Sequence, residues 1–486
     1  MTPARRVDGR EVTTLDGLPG ADRRAWAEAL VATGGSQCGF CTPGIVMRLA
    51  ALAGAAGAVG PPGRADVDQA LLAHLCRCTG WQTVVEAADR VHGAPDADRP
   101  GDASADGSRD LAAAAERAAL EGGVAQQVGP GVVLGDAGFA DDTAPADALV
   151  AVVAGDGYVV AGSLPEARAL AGKVQGRSTT VPLDHPVEVP DGEWALTLAT
   201  TWVEPAYLEP DASWCVPGGV PASPYGNGGS FGGKLRSPVA DDARRLADEH
   251  GRAVRVLWSR EDVVRRGPKR PPVAGGVRAD GTGVLRVGVS GDALDAAWDA
   301  VVADVAAVAP GIVLERVAVA GPDTAPELRA AVWAEAAVLD AAVRLGVPGT
   351  PVHDVAVTVV APSGGRAEAR CRPDGSVEVE VAAGRVLDAV VLRSYAVGAA
   401  HQALGWVRSE GIAVSPEGEV QDLTVRSFGI LQARAVPPVT VRVVDDQGAP
   451  SVNGSDAVFA AVAAARWLAD GLPPAWPSDR AGAGRR

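Results

Sequence analysis

Ser36-Gln37-Cys38-Gly39-Phe40-Cys41-Thr42-Pro43-Gly44 and, further on, Cys76-Arg77-Cys78-Thr79-Gly80-Trp81 decide how the first part of this chain is read. A C-x-x-C pair and a C-x-C pair, with residues 42–75 between them, can bring four thiolates to one point. Around them Trp26, Leu30, Ile45, Leu49, Leu52, Leu71, Leu72, Leu75, Val84 and Val85 recur at helical spacing. The spacing predicts four short helices near 21–33, 43–58, 67–75 and 82–91, with Pro43 in a first turn and Asp66 as an N-cap. Gly39 and Gly80 let the backbone turn tightly around bridging sulfides. Helices opening at Pro43 and Gln82 would aim their positive dipole ends at an anionic centre. These features point to a [2Fe-2S] cluster on Cys38, Cys41, Cys76 and Cys78. A structural zinc on the same residues and a redox dithiol at Cys38 and Cys41 are the alternatives, and zinc sites favour a wider second pair than C-x-C. Cys215 and Cys371 are isolated in β-type surroundings and read as small buried hydrophobes.

At 486 residues the chain exceeds one compact core. The formal charge of -16 argues against a grip on phosphate backbones or anionic membranes, which needs clustered Lys and Arg, so neither nucleic acid nor membrane is an expected partner. Met1–Arg24 is polar, and no stretch reaches about 18 uninterrupted apolar residues, so a cytoplasmic protein is expected. Six cysteines are too sparse for a disulfide framework.

The expected fold class is multidomain: an all-α four-helix [2Fe-2S] domain over 1–92, a linker and Ala-rich helix over 93–125, and two α+β domains over 126–272 and 273–486. The stretch Gly93–Asp110 is nearly devoid of apolar residues and reads as the linker. Strands are expected at 148–153, 158–161, 194–201, 355–360, 377–381, 423–427 and 439–444, with helices over 111–120, 325–345 and 457–469. Tyr225-Gly226-Asn227-Gly228-Gly229-Ser230-Phe231-Gly232-Gly233-Lys234 sets glycines around one aromatic, so that successive amides can line a concavity for oxo or phosphate groups. By itself such a cluster is more often a plain turn, and Lys234 more often a solvated charge.

Both cysteine motifs resemble the helical [2Fe-2S] domain of the xanthine oxidase, aldehyde oxidase and CO dehydrogenase family of molybdenum hydroxylases, over about residues 7–92, with Val7–Leu15 similar to the linker that leads into it. Gly228–Lys234 resembles that family's pterin-binding loop, Tyr207-Leu208-Glu209-Pro210-Asp211 the stretch before it, and Val254–Asp262 with Lys269-Arg270-Pro271 the segment after it. A looser match covers Ser394–Gly411 and the final helix after Asn453-Gly454-Ser455-Asp456. The resemblance implies a molybdenum-molybdopterin cofactor bound by Gln37, Gly228, Gly229, Ser230, Phe231, Gly232 and Gly233, bridging the two α+β domains. It also implies hydroxylation of an N-heterocycle or aldehyde with water, electrons leaving through the cluster. A separate FAD-binding subunit, a second [2Fe-2S] domain or subunit, a small-molecule substrate and a homodimeric complex are further implications of it.

The chain departs from the family in three places. The family's first cluster domain does not precede Val7, which implies a start truncated at Met1 or a partner subunit. A segment between Trp214 and Pro224 is missing. The family's catalytic Glu falls at Ser455, which leaves Asp456 as the candidate catalytic residue, although a Ser-Asp pair before Ala457 also reads as an N-cap. His401, on a helical stripe, reads as a packed or surface imidazole. A catalytically degenerate electron-transfer or cofactor-holding subunit, and a non-enzymatic assembly protein, are the rival functions.

Overall fold

The apolar stripes around the cysteines close into a small helical layer. The computed structural model describes residues 4–56, 62–93, 109–172 and 181–479. Helices α1 (Gly20–Thr33), α2 (Thr42–Ala56), α3 (Arg64–Leu71) and α4 (Gln82–His92) bury Trp26, Leu30, Ile45, Leu49, Val67 and Val84 in one cluster. Helix α3 starts and stops earlier than expected. Asp66 is not its N-cap: it sits at the third helical position and accepts the Gly63 N–H at 2.9 Å, while Gly63 occupies the cap. Ending at Leu71 leaves residues 72–81 free to carry Cys76 and Cys78 as a loop. Most of the expected linker lies outside the described residues; α5 (Leu111–Gly122) begins after Asp110, whose carboxylate accepts from the amides of Ala112 and Ala113 at 2.9 and 3.1 Å.

Three sheets come next along the chain. The first has the order β2-β1-β5-β4, from β1 (Leu149–Ala154), β2 (Gly157–Ala161), β4 (Ala212–Cys215) and β5 (Val254–Leu257), with β1 parallel to β5 in the register Leu149↔Val254. Helix α6 (Val239–His250) covers it with Val239, Ala243, Leu246 and Ala247. The second, β13-β3-β6-β7-β8, joins β3 (Leu196–Thr200) to β6 (Val273–Val277), β7 (Gly283–Val289), β8 (Ile312–Ala318) and β13 (Ala475–Trp476). The expected division at 272 therefore falls inside one sheet, because Leu196 pairs with Val277 and Ala199 with Ala274. The third, β12-β11-β10-β9, contains β9 (Val357–Val360), β10 (Arg366–Cys371), β11 (Val377–Ala382) and β12 (Val439–Val444).

Helices α7 (Trp333–Leu345), α8 (Ala389–Arg408) and α9 (Ser455–Ala469) fill the space between the second and third sheets and share their largest apolar core. Both α8 and α9 are apolar nearly all round and buried along almost their whole length, as central helices must be.

Two expected elements differ from expectation: one helix is shortened and one strand does not form. The helix over 325–345 begins only at Trp333, because Ala330 and Val332 take φ of +52° and +71°, which breaks helical phasing. The strand over 423–427 is a turn: Leu423 and Phe428 both pack on Trp202, so the segment folds back instead of alternating sides. Among the described residues no helix is long and apolar enough to cross a membrane.

Candidate cluster and cofactor site

The two cysteine loops meet where α2 and α4 begin. Gly39 and Gly80 take φ of +84° and +61°, and a Cβ on either would press on Val132 or on the Val397 carbonyl at 2.8 and 2.7 Å, so no larger residue fits. The thiols pair across the loops: Cys38 and Cys78 Sγ lie 3.6 Å apart, and Cys41 shares a hydrogen bond with Cys76. That bond, with a second from Thr79 at 3.1 Å, brings the Cys76 thiol down to about 6, while the same contact and burial push Cys41 well up. Cys78 is raised by its bond to Cys38 and by burial. Among the described residues no three Cys, His, Asp or Glu side chains converge as a one-ion site requires. Two facing pairs suit two irons, each taking one thiolate from either loop.

The glycine-rich loop lies against the cysteine loops. Asn227 Nδ2 donates to the carbonyls of Gln37 and Gln127 at 3.0 Å, and its Oδ1 accepts the Gln127 N–H at 2.6 Å. Gly229 is right-handed (φ -78°, ψ 5°), whereas Ser230 and Phe231 have φ of +54° and +58°. Such a reversal turns successive N–H groups to one side as an anion-binding nest. Among the described residues no protein acceptor takes the amides of Gly229, Ser230 and Phe231, whereas Gly232 and Gly233 donate back to Gly229 and Ser230. Lys234, expected in solvent, is fully buried: its Nζ is 2.6 Å from Glu209 and donates to the Pro224 carbonyl at 2.9 Å. This pair ties the loop to the stretch Tyr207–Asp211, where Tyr207 donates to Asp211 at 2.7 Å.

A cavity of about 920 Å3, its open mouth included, lies between these parts. Cys38, Cys41, Cys78 and Gln37 face it from the helical layer, and Gly228, Ser230, Phe231 and Gly232 from the loop. Gly229 and Gly233 do not; they back onto the Gly122 carbonyl and the Tyr207 ring. Gln37 Nε2 is fixed by the Cys78 carbonyl at 3.1 Å and Ser394 Oγ at 2.9 Å.

The N-terminus of α9 forms the far wall. Its cap residue is Gly454, and Asn453 Oδ1 accepts the Asp456 N–H at 3.0 Å. The capping role expected of the Ser-Asp pair thus belongs to Asn453, and Asp456 is free to face the cavity. Its carboxylate pairs with Arg329 Nε at 3.3 Å and keeps 28% of its surface open on the cavity side. Burial raises its pKa above the usual carboxylate value; Arg329 opposes this and Glu121 adds to it. Ser455 is fully buried, with Oγ 3.3 Å from Arg329. His401, also fully buried, bonds the Leu431 carbonyl through Nε2 at 3.0 Å and is a packed imidazole.

Known proteins share both the cysteine layer and the arrangement around it. Residues 14–89 match the family model described as [2Fe-2S] binding domain. A probable xanthine dehydrogenase subunit from Bacillus subtilis is 36% identical over 91 residues, 19% of this chain and 51% of that protein. Xanthine dehydrogenase of Blastobotrys adeninivorans is 38% identical over 90 residues, 18% of this chain and 6% of that protein. The chain thus spans about half of the first relative and a small part of the second. Aldehyde oxidoreductase from Desulfovibrio gigas superposes with a TM-score of 0.67 at 13% identity, over 99% of this chain and 93% of that one. The cysteine layer is thus similar to [2Fe-2S] domains of xanthine dehydrogenases, and the chain shares its fold with aldehyde oxidoreductase. Aldehyde oxidoreductase from Desulfovibrio desulfuricans superposes at TM-score 0.55 and 12% identity, over 95% and 92%. At these identities the likeness is one of fold, and it runs through the whole multidomain arrangement.

The donors of this site suit the groups that the sequence resemblance implies: four facing thiols would suit a [2Fe-2S] cluster, and Ser230 and Phe231, whose amides are unclaimed among the described residues, line the same cavity as Gln37, as oxo and pterin atoms would require. Sequence reasoning missed Arg329, Glu121, Gln126 and Tyr395, all on the cavity wall. Arg329 gave no signal because its segment read as helix. Glu121 could have been noticed as the partner of Arg117 four residues earlier in an otherwise Ala-rich helix.

Proposed function

We propose that this chain is a molybdopterin- and [2Fe-2S]-dependent oxidoreductase that hydroxylates an aldehyde or N-heterocycle with water. What supports the reading most is one cavity lined by Cys38, Cys41 and Cys78, by Ser230 and Phe231, whose amides are unclaimed among the described residues, and by Asp456. The cluster would sit on Cys38, Cys41, Cys76 and Cys78, and the pterin group on Gln37, Gly228, Ser230, Phe231 and Gly232. Bound there, the molybdenum cofactor supplies the two-electron oxidation and the activated oxygen. The protein's part is positional and acid–base. The Ser230 and Phe231 amides would present fixed donors to developing negative charge, without reorganisation during reaction.

Asp456 is the proton acceptor. Its carboxylate opens on the cavity, and burial makes it a better base than an exposed aspartate. Arg329 holds the carboxylate in place and steadies its anion. Cys38, Cys41, Cys76 and Cys78 would hold a cluster able to pass electrons on to a separate flavin-bearing subunit and a second [2Fe-2S] domain or subunit.

The test is elemental and kinetic. Purified protein should hold two irons and one molybdenum per chain and oxidise members of an aldehyde and N-heterocycle panel, with label from 18O-water entering the product. Asp456→Asn should lower turnover about 10²–10⁴-fold with both metals retained. Stoichiometric zinc with little iron would refute the cluster, and iron without molybdenum in protein from a molybdopterin-competent host would refute the enzyme.

A further inference from the structure

Position 455 carries no carboxylate, yet a carboxylate reaches it from far along the chain. Glu121, the last side chain of α5 before Gly122, is fully buried and points at the start of α9. Its oxygens accept the Gly454 N–H at 3.1 and 3.3 Å and the Ser455 N–H at 2.9 Å. Those are two of the first-turn amides that a helix leaves without intrahelical partners. Arg117 Nη2 donates to the same carboxylate at 2.5 Å, and also to the Val452 carbonyl just ahead of the turn. Asn453 joins in from the other side, with Nδ2 on the Glu121 carbonyl at 3.1 Å. The end of α5 and the beginning of α9 are therefore one hydrogen-bonded unit, and both Glu121 and Asp456 face the cavity.

The two carboxylates live in different surroundings. Glu121 is saturated with donors: two amides and a guanidinium engage it. Asp456 has one ion pair, at 3.3 Å, and an open face. The charged groups that face Asp456 are Arg329 from the segment before α7, Arg270 from the segment before β6, and Glu121 from α5. Arg270 is already matched by Glu335 at 2.8 and 2.9 Å. Arg329 lowers and Glu121 raises the proton affinity of Asp456, although Glu121 is itself paired with Arg117 at 2.5 Å.

We infer that Glu121 is a positioning residue that makes good the carboxylate missing at Ser455: it locks the Gly454–Asp456 turn through two first-turn amides and sets a second carboxylate, paired with Arg117, beside Asp456. The inference rests on the proposed role of Asp456 as proton acceptor. It divides the labour of one catalytic carboxylate between two residues, one that holds the turn and one that faces the cavity.

The test reads the proton on Asp456 without requiring turnover. Infrared difference spectra between the full-length parent and Asp456→Asn isolate the Asp456 carboxyl band, and its intensity against pH gives a titration midpoint. In the parent that midpoint should lie above the ordinary aspartate value of about 3.9. In Glu121→Gln, read against Glu121→Gln with Asp456→Asn, it should fall by about one pH unit or more, since removing a neighbouring anion eases ionisation. The acid limb of the pH–rate profile should move the same way, with the cluster absorption kept. A parent midpoint at or below about 3.9 overturns the inference even if Glu121→Gln does not fold. So does a midpoint unchanged in a folded Glu121→Gln, which would make Glu121 a helix cap and no more. A protein without molybdenum would defeat the functional proposal while leaving these titrations as they stand.

Discussion

That the four cysteines come together was legible because two short spacings, C-x-x-C and C-x-C, survive in the sequence whatever the rest of the chain does. The cavity-facing charges were not, since a single Arg or Glu gives no pattern. Lys234 shows the limit well: a lysine after a glycine run reads as solvated, and only the fold brings Glu209 to within 2.6 Å of it. His401 allows a clean residue-level prediction. Its Nε2 must carry a proton to bond the Leu431 carbonyl, and Nδ1 is buried without a partner. Burial first, and Arg77 second, bring its pKa down from 6.5 to about 4. Between those values the unfolded chain binds a proton that the folded one refuses, so stability should fall as pH drops from about 6.5 to 4 and change no further from this group below that. The full effect is about 3 kcal/mol at roughly 1.4 kcal/mol per pH unit. His401→Gln, which keeps a donor for Leu431 and does not titrate, should flatten that slope in urea unfolding across this range. An equally steep slope in the variant would place the acid sensitivity elsewhere.

Elements were legible where one periodicity ran without interruption. Helices α1, α2, α4, α5 and α9 appear within a few residues of their expected limits, because an apolar stripe runs unbroken through each. The failures share a cause: at 325–332 and 423–427 side chains are placed by distant partners. The first of these segments, forced out of helix by positive φ at Ala330 and Val332, is what delivers Arg329 to the cavity. Packing between elements also fixes residues that look arbitrary in sequence. Gly398, in the middle of α8, would direct a Cβ to within 1.9 Å of the Cys78 carbonyl. An alanine there must push α8 and the cysteine loop apart, and overpacking of this kind costs about 1–3 kcal/mol. Gly398→Ala should therefore lower the iron-to-protein ratio and bleach the visible absorbance, with far-ultraviolet helix content nearly unchanged. Full iron retention would mean that the loop has room to yield.

The whole molecule depends on how its helical layer is held to the sheets, and no sequence window could have supplied that. The contacts that join them are made by residues hundreds of positions apart. Gln82 exchanges hydrogen bonds with both backbone groups of Val439, at 2.7 and 2.8 Å. Arg393 pairs with Glu86, and Arg109 with Asp388, each at 2.6 Å. The deepest link is Arg77, set between two cluster cysteines, which makes a two-pronged pair with Glu410 at 2.6 Å and donates to the Pro205 carbonyl at 3.1 Å. Both side chains are at most 5% exposed, so salt should screen them little.

A pair this deep has an asymmetric energetic signature. Removing one partner leaves a buried charge without compensation, which costs about 3–5 kcal/mol, whereas removing both exchanges the desolvation penalty for apolar contact and is often close to neutral. Glu410→Gln should thus unfold at clearly lower urea than the parent and shed its cluster colour in the same transition, because Arg77 carries Cys76 and Cys78 with it. The double variant Arg77→Met with Glu410→Met should recover much of that loss, and its recovery should be the same at low and high salt. If instead the double variant were as unstable as the sum of its two single ones, the ion pair would be replaceable by nothing apolar. The cluster loop would then owe its position to the guanidinium's bond with Pro205 rather than to its charge pairing with Glu410.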